Sequence, residues 1–470
     1  MLLKCFILWF MINYVQPQNY LLQNTYHPQD QNSVKRNPVE VERSKEISVT
    51  TTVQQGNGKK LTNEALSKGS SATQQSSQGQ IVFRPQASQP QVTNADKFNR
   101  LLYSVTNVGI NLLKIINSMA TGNVVVSPYS VSSLLSLLQQ GTSGTTQEEL
   151  TRVLGMTPEA LAAAYSRITT DYKNRNSHSI MKTASNVFVG EYFIINSDFQ
   201  RIAQENFDSD ITRVSFGRPD LAARDINKWV ASKTLQKIEK IITSDALDSS
   251  TQMVLVNAIY FKGLWEVPFR VEATRLSEFH LSNGATKVTD FMRMRHSLKT
   301  GVDQTAKAKV VILPFEGNQY SLMVILPSAS DGITSFLANL TDARLLSYLS
   351  FPEEETDLEL PKFVVRGDTN LEIVLRNMGI ATMFSSYAEL NTLGTYQGYT
   401  PHISSAVHSA VLSIDEKGGS AAAATAFAAV ALSYDEPSTY FKADTPFIVV
   451  LWDTKSSLPL FIAKIEDPTQ

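Results

Sequence analysis

Near the C-terminus, two segments that read as strands are joined by a stretch that fits neither a helix nor a sheet. Ala406 to Ile414 alternates apolar with small or polar residues, and Phe447 to Trp452 is an apolar run, so both carry strand patterns. Between them Glu416-Lys417-Gly418 leads into Gly418 to Leu432, which has no charge and only Phe427 and Leu432 as bulky side chains. Alanine leads the helix scale and the run is long enough for several turns, so composition alone favours a helix. The flanking strands favour a mobile loop instead, whose tiny side chains can be accommodated in two different surroundings.

The chain has 470 residues and a formal net charge of −2, which points to neither nucleic acid nor a strongly charged partner. Lys4 followed by the apolar Cys5 to Ile12 matches a secretory signal and is too short to span a bilayer. Residues 1–17 are therefore expected to be removed and the remainder to be secreted, extracellular and free of the membrane. Cys5 is the only cysteine, and cleavage near Gln16 to Gln18 leaves a chain that no disulfide can brace, so stability must come from a large core. Residues 18–95 are rich in Gln, Ser, Asn and Thr and read as a disordered extension. The sole sequon, Asn339-Leu340-Thr341, makes Asn339 a glycosylation candidate.

Residues 96–470 read as one α+β domain, since no linker interrupts them. Phe98, Leu101, Leu102, Val105, Val108, Leu112, Leu113 and Ile116 form a helical stripe. A second helix follows Pro128, with Ser130 as its expected cap, Leu134, Leu135, Leu137 and Leu138 inward, and Gly141 as its stop. Thr146-Gln147-Glu148-Glu149 reads as a capping box for a short helix ending at Gly155, and Asp225 to Ile242 as a long amphipathic helix. Strands are expected at Met253 to Phe261, Ala308 to Pro314, Tyr320 to Leu326 and Asp357 to Val365.

Catalytic chemistry is hard to assemble from this chain. It has no Gly-x-Ser-x-Gly elbow and no His-Glu-x-x-His pair, and its six histidines show no metal-ligand spacing. No enzyme activity, metal or cofactor is expected. Lys173, Arg175, His178 and Lys182 form a basic group that could meet a polyanion, but a solvated loop accounts for it better.

Five separated motifs carry a family resemblance from about Asp96 to Pro468: Asn123 to Ser130, Leu255 to Trp265, Leu360 to Phe363 with Met378-Gly379-Ile380, the loop with Glu416, Gly418 and Ala421 to Thr425, and the closing Pro446-Phe447 and Pro459 to Ile462. Together they resemble the serpin family. The resemblance implies a mixed central sheet with additional sheets, about nine helices and an exposed reactive-centre loop. It implies a monomeric suicide inhibitor: a protease cuts the loop, is acylated, and is trapped in a covalent complex as the loop inserts into the central sheet, a behaviour long used to illustrate strand addition. The hinge would be Glu416, Gly418, Gly419, Ser420, Ala421, Ala422, Ala423, Ala424 and Thr425, and the reactive bond Leu432–Ser433. Leucine there suits chymotrypsin-like or elastase-like serine proteases, with papain-like cysteine proteases second. Ser127, Ser130, Asn257 and His408 would form the polar cluster beneath the parting strands, and Trp265 would lie under the top of the loop. Gly419 and Ser420 depart from the family, where Thr or Ser and then Glu are usual. A non-inhibitory relative, such as a carrier, chaperone-like or storage protein, is the alternative.

Overall fold

A computed structural model of the chain describes residues 94–175, 179–328, 332–418 and 439–470. Nine α-helices occur among the described residues: α1 (Asn94–Met119), α2 (Pro128–Gln140), α3 (Gly144–Leu154), α4 (Pro158–Asn174), α5 (Ser197–Phe207), α6 (Pro219–Lys233), α7 (Gly332–Asn339), α8 (Asp342–Ser347) and α9 (Leu371–Asn377). The strands are β1 (Val124–Val126), β2 (Ile180–Gly190), β3 (Phe193–Ile195), β4 (Asp210–Val214), β5 (Met253–Lys262), β6 (Arg275–His280), β7 (Thr286–Asp303), β8 (Ala308–Pro314), β9 (Tyr320–Pro327), β10 (Glu353–Pro361), β11 (Phe363–Asn370), β12 (Gly394–Tyr396), β13 (Ser405–Ile414), β14 (Thr439–Lys442), β15 (Phe447–Asp453) and β16 (Leu458–Ile465).

Two large sheets organise these elements. One runs β11-β13-β5-β2-β4, and the other β1-β16-β15-β9-β8-β7-β10-β14 with β6 on β7. β15 and β16 are buried at every position: their apolar runs, Phe447 to Trp452 and Leu458 to Ala463, suit strands covered on both faces, and the charged Asp453 and Lys464 at their ends are buried with them. Helix α2 contacts β5 of the first sheet and β16 of the second, and all but its last residue is buried. Leu134, Leu135, Leu137 and Leu138 are inward as expected. On the opposite face of the first sheet, α6 covers a second apolar cluster, where Phe188 and Trp229 meet edge to face at 5.5 Å.

Several local expectations needed correction. Ser127, not Ser130, caps α2: its side chain accepts from Ser130 N, and Pro128 takes the first helical position, where its missing N–H costs nothing. The proposed capping box does not form. Helix α3 begins at Gly144, and Glu149 turns instead to Thr382, accepting from its N–H (2.9 Å) and Oγ1 (2.7 Å). The helix expected to reach Ile242 ends at Lys233, because Leu235 and Gln236 have φ of 53° and 60° and turn the chain out of the helix. Asp357 to Val365 divides at Lys362 into β10 and β11, which belong to different sheets.

Candidate functional site

Strands β5 and β13 lie side by side and parallel, from Ser405 opposite Val254 to Leu412 opposite Phe261. In that register His408 faces Asn257 directly, and Asn257 in turn faces Ser185 on β2. The first turn of α2 comes up beneath this row. Ser127 N donates to His408 Nε2 (3.1 Å), His408 Nδ1 donates to Asn257 Oδ1 (2.8 Å), and Ser130 Oγ donates to the same oxygen (2.7 Å). Asn257 Nδ2 returns a bond to Ser130 O (3.1 Å), and Ser130 N donates to Ser127 Oγ (3.1 Å). The structure thus brings together all four residues of the expected polar cluster.

The network is consistent only with a neutral imidazole. Nε2 receives a backbone N–H and must present its lone pair, so the proton resides on Nδ1. Burial pushes the His408 pKa down to about 4, against the bond to Asn257 and the more distant charge of Asp368. Its position at the N-terminal end of α2 disfavours a cation further. The cluster bridges the two parallel strands, so any separation of β5 from β13 must break it.

At the C-terminal end of the same seam the chain leaves β13 and turns. Asp415 Oδ1 accepts from Lys417 N (2.9 Å) and Gly418 N (3.1 Å), a local carboxylate turn. The turn is pinned to the segment after β5: Trp265 N donates to Lys417 O (3.0 Å), Phe269 N to Glu416 O (2.9 Å) and Trp265 Nε1 to Asp415 O (2.9 Å). Trp265 is buried and stacks on Phe315 at 4.3 Å, which fixes the indole against the Asp415–Gly418 turn. Gly418 has φ of 108°, and a Cβ there would stand 2.7 Å from Trp265 N and 2.8 Å from Gly263 O, so only glycine fits.

Glu416 is held from the side by Lys362 Nζ (2.7 Å) and by Thr274 Oγ1 (2.9 Å). Burial raises its pKa, but the bonds from Lys362, the backbone and Thr274 outweigh that and leave it below the ordinary glutamate range. Lys362 also reaches Asp290 (3.3 Å), and its own pKa is raised chiefly by Glu416. Lys362 stands in the sequence inside the Leu360 to Phe363 motif with no local sign of this role, since its partner lies 54 positions along the chain. Of the expected hinge, only Glu416 and Gly418 are described. Gly419 to Thr425 and the bond Leu432–Ser433 lie outside the described residues.

The basic group at the end of α4 is not one surface. Arg175 is buried against Asp453 (3.0 Å) and Asp171 (2.5 Å), and Lys173 pairs with Asp208 (2.8 Å). Lys182 is exposed, and His178 lies outside the described residues. Asn339 is exposed at the end of α7, its amide donating to Ser335 O (3.0 Å). Among the described residues no group of His, Cys, Asp and Glu could hold a metal ion, and no helix is long and apolar enough to cross a membrane.

A fold in which a buried polar seam lies between parallel strands, with a small-residue segment leaving one of them, defines a class of protein rather than an enzyme pocket. The chain belongs to the serpin family: the family model, described as serine protease inhibitor, matches residues 103–468. Serpins inhibit proteases and are not catalysts. Antichymotrypsin-2 of Bombyx mori is 34% identical over 339 residues, covering 70% of this chain and 88% of that one. Leukocyte elastase inhibitor of Sus scrofa is 30% identical over 374 residues, covering 77% and 98%. Among solved structures, Manduca sexta serpin-12 shares 47% identity with a TM-score of 0.73, covering 78% of this chain and 99% of that one. Human thyroxine-binding globulin has a TM-score of 0.73 at 23% identity, which speaks for the fold alone.

Proposed function

We propose that the protein is a secreted protease inhibitor that traps its target by loop cleavage and strand insertion. The observation that carries this reading is the seam. The strands on either side of it are parallel, the chain leaving β13 turns at Asp415–Gly418 back over the end of β5, and a strand continuing from that turn would run antiparallel to both neighbours. About fifteen residues at roughly 3.3 Å each would span some 50 Å, enough to carry a bound enzyme across the molecule. The side chains that would enter the interior, Gly419, Ala421, Ala423 and Thr425, are small, so the packed sheet need not open wide. Gly419 costs about 0.5–1 kcal/mol relative to alanine in a strand, a small loss beside the hydrogen bonds gained.

Leu432–Ser433 is the reactive bond on this reading, and its leucine selects an enzyme with an apolar pocket. Relatives named antichymotrypsin and antitrypsin are both 34% identical to the chain, so overall similarity does not choose between targets; Leu432 does. Incubation with chymotrypsin or pancreatic elastase should give a detergent-resistant adduct, and Leu432→Arg should move the preference to trypsin. Clean cleavage of the loop with no adduct would favour a non-inhibitory role. The apolar segment Cys5 to Ile12 is the basis for proposing secretion, and exposed Asn339 is a glycan site on that route.

A further inference from the structure

The connection from α6 to β5, residues 234–252, crosses the face of the central sheet opposite α2. Ile238, Ile242 and Leu247 are buried there in one cluster with Val254, Val256 and Tyr260 of β5 and Val411 of β13, so this strap covers both sides of the seam. It is firmly tied on the β5 side. Its chain continues into β5, and Asn227 of α6 accepts from Ile241 N (2.8 Å) and Ile242 N (3.1 Å) while donating to Ile242 O (2.8 Å). On the far side the polar tie is Arg366 of β11, whose Nη2 donates to Lys240 O at 2.7 Å. The guanidinium is held in place by Asp368 through Nε (2.9 Å) and Nη2 (3.3 Å), and Asp368 also accepts from Ser409 Oγ of β13 (2.6 Å).

We infer that Arg366 is a positioning residue for strand insertion: a latch that holds the strap across the seam and slows the parting of β5 from β13. The inference rests on the insertion reading above. Admitting one strand separates β5 from β13 by about 4.8 Å in the hydrogen-bonding direction. The strap is fastened to α6 and β5, and Arg366 is fastened to the β11–β13 side, so the bond between them cannot persist through that displacement. A charge-assisted bond of this kind must be broken before or during the rate-limiting opening, and its loss should speed that step. The apolar contact of the strap with Val411 can slide gradually; a hydrogen bond at 2.7 Å cannot.

The test uses the full chain and Arg366→Met, which keeps the aliphatic stem and removes the donors. A synthetic peptide with the sequence of residues 419–432 is mixed with intact protein, and its uptake is followed by native electrophoresis or fluorescence. Uptake by Arg366→Met should be about five- to tenfold faster than by wild type. Arg366→Lys, which keeps charge but not the planar fork, should fall between them. The uncleaved Arg366→Met protein should melt lower than uncleaved wild type, while the two loop-cleaved proteins, in which the latch is already open, should melt together. Equal uptake rates, or equal destabilisation of both forms, would overturn the latch while leaving insertion intact. A wild-type protein that neither takes up the peptide nor gains heat stability on cleavage would remove the insertion reading, and the latch with it.

Discussion

Acidification should weaken the native protein through His408. The folded protein keeps this imidazole neutral down to about pH 4, whereas the unfolded chain protonates it near 6.5. Below pH 6.5 the unfolded state therefore binds more protons, and the stability that His408 contributes is complete above that pH and is lost as pH falls toward 4. The gap between 6.5 and about 4 amounts to roughly 3 kcal/mol once both forms titrate, of which about 2 kcal/mol is lost by pH 5. Other groups, such as Glu416 and Asp171, also lose stability in acid, so the measurement must be a difference. His408→Gln keeps a neutral donor and acceptor at the seam and cannot titrate. Urea unfolding followed by tryptophan fluorescence at pH 7.5 and 5.0 should show wild type losing about 2 kcal/mol more than His408→Gln. Parallel losses in the two proteins would show that His408 is not held neutral by its surroundings, and the account of the buried cluster would fail.

Asn257→Ala removes the acceptor shared by Ser130 Oγ and His408 Nδ1, leaving buried donors unpaired; a loss of about 2–4 kcal/mol in urea unfolding is expected. Gly418→Ala forces a side chain against Trp265 N and Gly263 O at φ 108°, and should lower the melting temperature of the uncleaved form by a few degrees, corresponding to about 1–3 kcal/mol. Glu416→Lys sets two ammonium groups together beside Thr274, and combining it with Lys362→Glu should restore much of the lost stability; a double-mutant cycle with no coupling would show the pair to be idle. Arg175→Met leaves Asp453 buried without its cation, and should cost about 3–5 kcal/mol, far more than removing a surface polyanion contact.

The seam was legible only through the family resemblance, which named its four residues together; local pattern placed them on elements but did not join them. His408 falls in an alternating strand, Asn257 in an apolar run, and Ser127 and Ser130 flank Pro128 at the start of a helix, positions that by themselves do not announce a shared partner. What stayed hidden depended on partners far along the chain. Glu149 has the spacing of a helix-capping carboxylate, yet Thr382 competes for it from 233 positions away and wins. The end of α6 was missed because Leu235, Ile238 and Ile241 continue the helical period while Leu235 and Gln236 take positive φ, a reversal that no propensity announces. Arg366 lies one position past the strand expected to end at Val365, and its partner across the strap is a backbone carbonyl, which carries no sequence signature at all.

The turn after β13 is fastened chiefly by main-chain groups: the carbonyls of Glu416 and Lys417 receive the amides of Phe269 and Trp265. Such fastening is indifferent to which side chains occupy 416 and 417. Substitution at either site can therefore loosen or tighten the start of the loop by degrees without moving where it begins, so that the timing of release and the geometry of release are open to independent adjustment.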